Sequence, residues 1–145
     1  MGIETKPHQD NAFFNLNPCD AFTAWIPTDS VTKKNSALYY YAGSQKEGQL
    51  AHDPHGNLGA SMCVSKKIID KIKQRYKKHY IEVKKGDCVI HSPLVVHGSK
   101  KNRGQVDRGA FNMSIKSKKA KLDIIGFSNY EKKLKSFLKA KKKKK

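Results

Sequence analysis

The chain has 145 residues, a length that suits one small domain with a single core. Hydrophobic residues make up 37% of it, with 9% aromatic residues, which supports a folded body in spite of a net charge of +18. That charge is confined to the second half, because residues 1–64 carry four lysines against six acids, whereas residues 65–145 carry 26 basic residues against six acids. Catalytic or metal-binding residues, rather than a polyanion-binding surface, are therefore expected in the first half.

The sequence shows neither the pattern of a targeting signal nor the cysteine spacing of a disulfide framework. The first ten residues contain no apolar run of the signal-peptide type, and no segment approaches the length of a membrane span. The cysteines are odd in number and widely spaced, at Cys19, Cys63 and Cys88, which argues against a disulfide framework and a cysteine-based zinc site. We expect a soluble cytoplasmic protein without a membrane partner.

The first half of the chain is typical of strands and loops. Residues 22–26 and 37–41 are short, rich in aromatic and branched residues, and bounded by Pro or Gly, so both are predicted strands. Residues 65–79 form a predicted helix, with Ile68, Ile69 and Ile72 on one side. Residues 80–83 and 88–91, separated by a Lys-Gly-Asp turn, are predicted to form a hairpin.

The remaining elements complete a mainly β protein. Residues 94–96 are a predicted apolar strand leading into His97, and residues 109–115 alternate as one more strand. The segment from Ser128 to Glu131 offers a capping box for a second helix, whose shared face would consist of Tyr130, Leu134, Phe137 and Leu138. We expect both helices to pack on the sheet. An antiparallel strand set of this kind favours a jelly roll with a ligand between two sheets.

A candidate metal site begins at His8-Gln9-Asp10 and is completed by His97. Residues i and i+2 of an extended segment project on the same side, so His8 and Asp10 can reach one ion while Gln9 points away or to the rim. Two histidines and one carboxylate are the ligand set of non-haem Fe(II) oxygenases. A His-x-Asp triplet by itself is a weak signal, since the chain has six histidines. Asp53 and His55 repeat the pattern in reverse, but we expect that segment to be a surface loop.

The lysines of the second half have two interpretations. Clustered basic residues are typical of nucleic-acid binding, but only three of the thirty basic residues are arginines, the better phosphate fork. The favoured interpretation is a compositional excess of lysine or a solvated tail at 141–145, and nucleic-acid binding is the alternative.

Separated segments together resemble the phytanoyl-CoA dioxygenase family of Fe(II)- and 2-oxoglutarate-dependent oxygenases, over about residues 7–115. The order and spacing of these segments agree with the family. The segments are 7–14, 23–27, 35–38 with 42–44, Gly86-Asp87, and His97-Gly98-Ser99 followed by Arg108.

The resemblance implies a cupin-like double-stranded β-helix, in which His8, Asp10 and His97 hold the iron. Arg108 and Ser99 would bind the distal carboxylate of 2-oxoglutarate, since a guanidinium can bind it through two parallel bonds. Gln9 and Trp25 match positions that line the cosubstrate pocket, although Trp25 could equally be core packing. The implied reaction uses O2 and 2-oxoglutarate to hydroxylate a small organic or acyl substrate. Halogenation is not expected, because related halogenases lack the carboxylate that Asp10 supplies.

One difference from the family concerns the start of the chain. Family members usually have a helical region and a strand before the His-x-Asp motif, whereas seven residues precede His8 here. We therefore expect an N-terminally incomplete domain, with residues 1–127 as the oxygenase core and 128–145 as a C-terminal helix and Lys-rich tail. A partner chain could supply the missing elements. The alternative function is a non-catalytic, truncated basic protein that binds polyanions or a partner chain.

Overall fold

The computed structural model describes residues 3–57 and 60–143 and is dominated by strands. Three α-helices and one turn of 3-10 helix, Ser44–Glu47, accompany them in the described part. The strands are β1 Thr5–His8, β2 Ala21–Pro27, β3 Leu38–Tyr41, β4 His52–Asn57, β5 Ala60–Val64, β6 Lys78–Ile81, β7 Val89–His91, β8 His97–Ser99 and β9 Ala110–Lys116. The helices are α1 Asn11–Phe14, α2 Lys66–Arg75 and α3 Ile124–Lys142. The predicted mainly β class is confirmed.

Two antiparallel sheets face each other across the core. One has the strand order β1-β8-β3-β6 and the other β7-β2-β9, while β4 and β5 form a separate two-stranded ribbon. Trp25 of β2 packs in one cluster with Leu38 and Tyr40 of β3, together with Val31 and Val95. This face-to-face arrangement of antiparallel sheets is that of a jelly roll, as predicted.

A second cluster fixes α2 on the four-stranded sheet. Ile69 and Ile72 of the helix are buried against Tyr39 and Tyr41 of β3 and against Val96. The predicted helix extended to residue 79, but it ends at Arg75 because residues 78–81 pair with β3 in register as β6. Strand pairing therefore outweighs the helical pattern of the lysine-rich segment.

The predicted hairpin of residues 80–83 and 88–91 is wrong. A turn does form, with the Asp87 N–H donating to the carbonyl of Lys84 at 3.1 Å. However, β6 pairs with β3 in one sheet and β7 pairs with β2 in the other. The turn therefore leads the chain from one sheet to the opposite sheet, and this connection places His91 beside β2.

Helix α3 begins before the predicted capping box. Asp123 is the N-cap, and its carboxylate accepts the Gly126 N–H at 2.9 Å, whereas Ser128 lies inside the helix. The Asp123 N–H donates in turn to the Asn15 carbonyl at 2.7 Å, which fixes the entry of the helix. No residue of α3 whose burial is described is fully buried, and the helix lies against β4 rather than in the main core. The helix includes Lys141 and Lys142 of the predicted tail, and residues 144–145 lie outside the described part.

Two further segments differ from the sequence predictions. Residues 52–57, predicted as a loop, form β4, which pairs with β5; Asp53 is exposed and His55 is half-buried. The apolar run at 94–96 is a turn rather than a strand, with the Val95 N–H donating to the Ser92 carbonyl at 3.0 Å. His97 is therefore the first residue of β8.

Strand β9 is exposed along its whole length, although it pairs with every residue of β2. Its apolar side chains Phe111, Met113 and Ile115 all face solvent. Within the described ranges, no helix is both long and apolar enough to cross a membrane.

The packing of α2 can be tested by truncating one isoleucine. Ile72→Ala should lower the free energy of unfolding by about 3 kcal/mol, because it opens a cavity among buried residues. Ile125→Ala is the matched control, since Ile125 lies in a helix but is 75% exposed, and it should cost less than about 0.5 kcal/mol. Urea unfolding measures both values. Equal effects of the two substitutions would contradict the assigned packing.

Candidate functional site

His8, Asp10 and His97 meet at one point in the core. His8 ends β1 and pairs across the strand with His97, the first residue of β8. Asp10 has helical backbone angles, φ −59 and ψ −33, so the chain leaves the predicted extended path just after His8. The side chain of Asp10 still returns to the histidines. One possible metal-ligand atom from each residue lies within 4.8 Å of the other two, and all three residues are buried.

The histidines present lone pairs to the carboxylate. Nδ1 of His8 lies 2.9 Å from the Lys6 carbonyl, and Nδ1 of His97 lies 3.1 Å from the Val95 carbonyl. A carbonyl only accepts, so each Nδ1 carries the proton, and Nε2 of the neutral ring is an acceptor. Burial lowers the pKa of His97 to about 3, which keeps that ring neutral.

Both Nε2 atoms lie 3.5 Å from the same oxygen, Oδ1 of Asp10. Acceptor atoms that face one another in a buried site are unfavourable unless a cation lies between them. Imidazole and carboxylate are ligands that suit iron, and backbone carbonyls that orient metal-binding imidazoles through Nδ1 are typical. The three residues therefore fit a divalent transition metal.

The second oxygen of Asp10 is held by the opposite sheet. Thr23 Oγ1 donates to Oδ2 at 2.6 Å, and His91 Nε2 lies 3.1 Å from it. Burial opposes ionisation of Asp10, but the three neighbouring histidines and the hydrogen bond from Thr23 outweigh this effect. They hold the pKa of Asp10 well below its usual range. The carboxylate thus stays charged with one oxygen directed at the histidines.

Tyr40 connects His91 to His97. Its hydroxyl lies 3.1 Å from His91 Nδ1, and its ring stacks on His97 at 5.4 Å with an interplanar angle of 19°. Burial raises the pKa of Tyr40, so the hydroxyl remains a donor. With Tyr40 donating to Nδ1, His91 carries its proton on Nε2 and donates to Asp10.

Gln9 and His52 brace the turn between the first two candidate ligands. The Gln9 amide nitrogen donates to the carbonyls of Gly48 at 2.8 Å and Leu94 at 2.5 Å, and its oxygen accepts the Leu50 N–H at 2.8 Å. The Gln9 backbone N–H donates to His52 Nε2 at 3.0 Å. Burial lowers the pKa of His52 to about 4, so its Nε2 is free to accept.

These contacts agree with the expectation that Gln9 points away from His8 and Asp10. They give Gln9 a bracing role, and its assignment to the cosubstrate pocket remains a prediction from the resemblance.

Arg108 and Ser99 both have unused bonding capacity in the described part of the chain. Arg108 Nη1 donates to the Ser36 carbonyl at 2.9 Å, and its guanidinium carbon lies 5.6 Å from the Trp25 ring centroid. Burial lowers its pKa, yet no carboxylate within residues 3–57 and 60–143 forms an ion pair with it. The Ser99 hydroxyl is fully buried and has no hydrogen-bond partner among those residues. A half-buried guanidinium without an ion-pair partner in these ranges and a buried hydroxyl without a hydrogen-bond partner there would suit an anionic ligand if the two lie together. What is observed is that each has bonding capacity left over.

The sequence left two roles open for Trp25, core packing and lining the cosubstrate pocket. Trp25 does pack in the core, because it lies in one cluster with Tyr40. The sequence did not identify Thr23, Tyr40, His52 or His91 as parts of the site. Period-two alternation along β2 could have placed Thr23 with Trp25 on one face. The other three depend on strand pairings that are remote in sequence.

Comparisons with known proteins identify the family to which the chain is similar. The family model for phytanoyl-CoA dioxygenase matches residues 1–110. Phytanoyl-CoA dioxygenase 1 of Oryza sativa subsp. japonica is 27% identical over 121 residues, which cover 79% of this chain and 40% of the rice protein. The Dictyostelium discoideum homolog of phytanoyl-CoA dioxygenase domain-containing protein 1 is 30% identical over 118 residues, covering 78% and 41%. The chain thus spans about two fifths of these relatives.

A solved structure supports the fold. EvdO2 from Micromonospora carbonacea var. aurantiaca, in complex with 2-oxoglutarate, superposes with a TM-score of 0.62 at 19% identity, covering 78% of this chain and 45% of EvdO2. The jelly-roll prediction is thereby confirmed. Since the family model matches most of the chain, the protein belongs to the phytanoyl-CoA dioxygenase family.

Proposed function

We propose that this chain carries the iron and 2-oxoglutarate site of a dioxygenase that hydroxylates a small organic or acyl substrate. The observation that carries the proposal is the meeting of two imidazole lone pairs with one oxygen of Asp10 in a buried site. Family membership supports it, and the EvdO2 complex shows that this fold can hold 2-oxoglutarate in another protein. We propose the cytoplasm as the compartment, in keeping with three free cysteines.

His8, Asp10 and His97 would hold the iron, each through one atom. Because Thr23 and His91 engage Oδ2 of Asp10, the carboxylate would bind through Oδ1. Such single-oxygen binding leaves coordination positions open for cosubstrate and oxygen. Bound iron, 2-oxoglutarate and O2 would supply the oxidising chemistry, while the chain orients the groups and limits water.

Arg108 and Ser99 would bind the distal carboxylate of 2-oxoglutarate. A guanidinium provides two parallel donors in a plane, and a serine hydroxyl adds a third. Within the described ranges, Arg108 has donors without a partner and the Ser99 hydroxyl has no partner, which supports this assignment. The ring of Trp25 lies beside the guanidinium and limits its movement.

The first test is anaerobic titration of the full chain with Fe(II) and 2-oxoglutarate. We expect a weak visible charge-transfer band in the wild type, and at least about 100-fold weaker metal binding in His97→Ala, because an inner ligand matters more than its supports. His79→Ala is the matched control, since His79 is an exposed strand residue, and it should retain the band. A wild type without a band, or equal affinities in the two variants, would contradict the iron site.

A second test concerns the cosubstrate. Arg108→Lys should weaken 2-oxoglutarate binding by about 10- to 100-fold, because an ammonium cannot reproduce the bidentate pair. Iron affinity, measured separately by calorimetry, should stay within about twofold. Arg75→Lys serves as the control, because Arg75 is exposed and pairs with Glu47 instead. Unchanged 2-oxoglutarate affinity in Arg108→Lys would remove Arg108 from the site.

A third test concerns His91. His91→Phe should weaken iron binding by about tenfold, since supports of a ligand carboxylate typically contribute that much. His91→Gln can still donate an N–H toward Oδ2 and should recover part of the loss. Calorimetric titration with Fe(II) compares the three proteins. If the Phe and Gln variants bind iron as tightly as the wild type does, His91 has no positioning role.

A further inference from the structure

A second cavity, separate from the iron site, is lined entirely by charged residues. Its volume is about 490 Å³. Five of the six lining residues are cations, and the sixth is an acid: Lys33, Lys34, Lys100, Lys101, Arg103 and Glu4. None of the five cations has an ion-pair partner within residues 3–57 and 60–143. So many like charges around one space repel each other unless an anion neutralises them.

The first of the two cation-bearing loops is braced from inside. Asn35 is buried, accepts the Thr32 N–H at 2.7 Å and donates to the Ser30 carbonyl at 2.9 Å. Lys33 is further fixed through its backbone N–H, which donates to Glu82 at 2.8 Å. Lys33 and Lys34 therefore extend from a fixed backbone rather than from a loose loop.

The second loop has the same construction. Asn102 is buried, accepts the Gly104 N–H at 2.9 Å and donates to the Val106 carbonyl at 2.9 Å. This brace fixes the segment that carries Lys100, Lys101 and Arg103. Because both loops are braced by buried asparagines, their backbones need little reordering when a ligand binds.

Two contacts join the loops to each other. The Ser36 hydroxyl donates to the Lys100 carbonyl. The ring of Tyr80 lies near one ammonium from each loop, at 5.5 Å from Lys33 Nζ and 5.8 Å from Lys100 Nζ. Cations near an aromatic face are attracted by it and lose some freedom. The distance between the two loops is therefore set by the protein.

We propose that this cavity binds a small ligand carrying several adjacent phosphate groups. A single carboxylate would leave most of the five cations unpaired, whereas a chain of phosphates offers an oxygen to each. Lysine binds phosphate as a point charge, and Arg103 can add a bidentate contact. An extended nucleic-acid strand needs cations spread along a groove, and here they line one space together with Glu4.

The test uses the full chain with inorganic tripolyphosphate and a metal chelator at about 0.15 M salt, where diffuse charge is screened. Under these conditions the result does not depend on the iron site. Calorimetry should give saturable binding to the wild type. The variant Lys33→Ala/Lys100→Ala/Arg103→Ala should lose at least about tenfold in affinity, since three charge-assisted contacts are removed.

The matched control is Lys67→Ala/Lys71→Ala/Lys132→Ala, which removes the same charge from exposed helix positions. It should stay within about twofold of the wild-type affinity, because these lysines contribute only screened, long-range attraction. Equal loss in both variants would overturn the proposal in favour of diffuse attraction. The absence of saturable binding to the wild type would also overturn it.

Thermal unfolding separates loss of the site from loss of the fold. Without ligand, the cavity variant should melt no lower than the wild type, because repulsion has been removed. With tripolyphosphate, the melting temperature of the wild type should rise and that of the cavity variant should not. A single-stranded RNA oligonucleotide is the final comparison. RNA binding tighter than tripolyphosphate, and lost in the cavity variant, would identify a nucleic-acid site and overturn the small-ligand proposal.

Discussion

The carboxylate of Asp10 joins the two sheets of the protein. Thr23 and His91 approach one oxygen from β2 and β7, while His8 and His97 approach the other from β1 and β8. A buried carboxylate is costly unless hydrogen bonds or charges compensate it. The sheets must therefore pack correctly for Asp10 to be satisfied, and the candidate site forms only when the core forms. Stability and chemistry depend on the same few atoms.

Around Asp10, side chains are held in place because their hydrogen-bonding groups all have partners within the protein. Gln9 uses its whole amide on the main chain of two loops, and His52 accepts the adjacent N–H. Tyr40 engages His91 and His97 at once. In contrast, Arg108 and Ser99 keep donors that no group in residues 3–57 and 60–143 uses. The contrast separates groups that hold the site from groups that are free to bind.

Local patterns in the sequence predicted the parts of the structure that local forces decide. The strands around residues 22–26 and 37–41 follow from aromatic and branched residues bounded by Pro or Gly, and the strand at 109–115 follows from alternation. The buried face of α2 follows from helical periodicity. The chain also brings His8, Asp10 and His97 together as predicted. The hairpin prediction was wrong because a turn motif does not determine which strands pair. The prediction of Ser128 as the N-cap was wrong because Asp123, whose N–H donates to the carbonyl of the distant Asn15, begins the helix instead.

The same limitation explains why His91 and His52 went unrecognised. His91 meets Asp10 across 81 residues, and His52 meets Gln9 across 43. Single residues at such separations carry no local pattern, so only the assembled sheets reveal them. The cation-lined cavity is a similar case, because its two loops are remote in sequence and each is an ordinary basic segment by itself.

The exposed strand β9 has a consequence for how copies of the protein associate with one another. Paired with β2 along its full length, β9 takes the outer position, where unpaired backbone groups meet solvent. Because β9 is one edge of this sheet, a strand from another chain can add there, and β2, which carries Thr23 and Trp25, is shielded by its central position. Aggregation at this edge could remove the protein from solution while leaving the inner site intact.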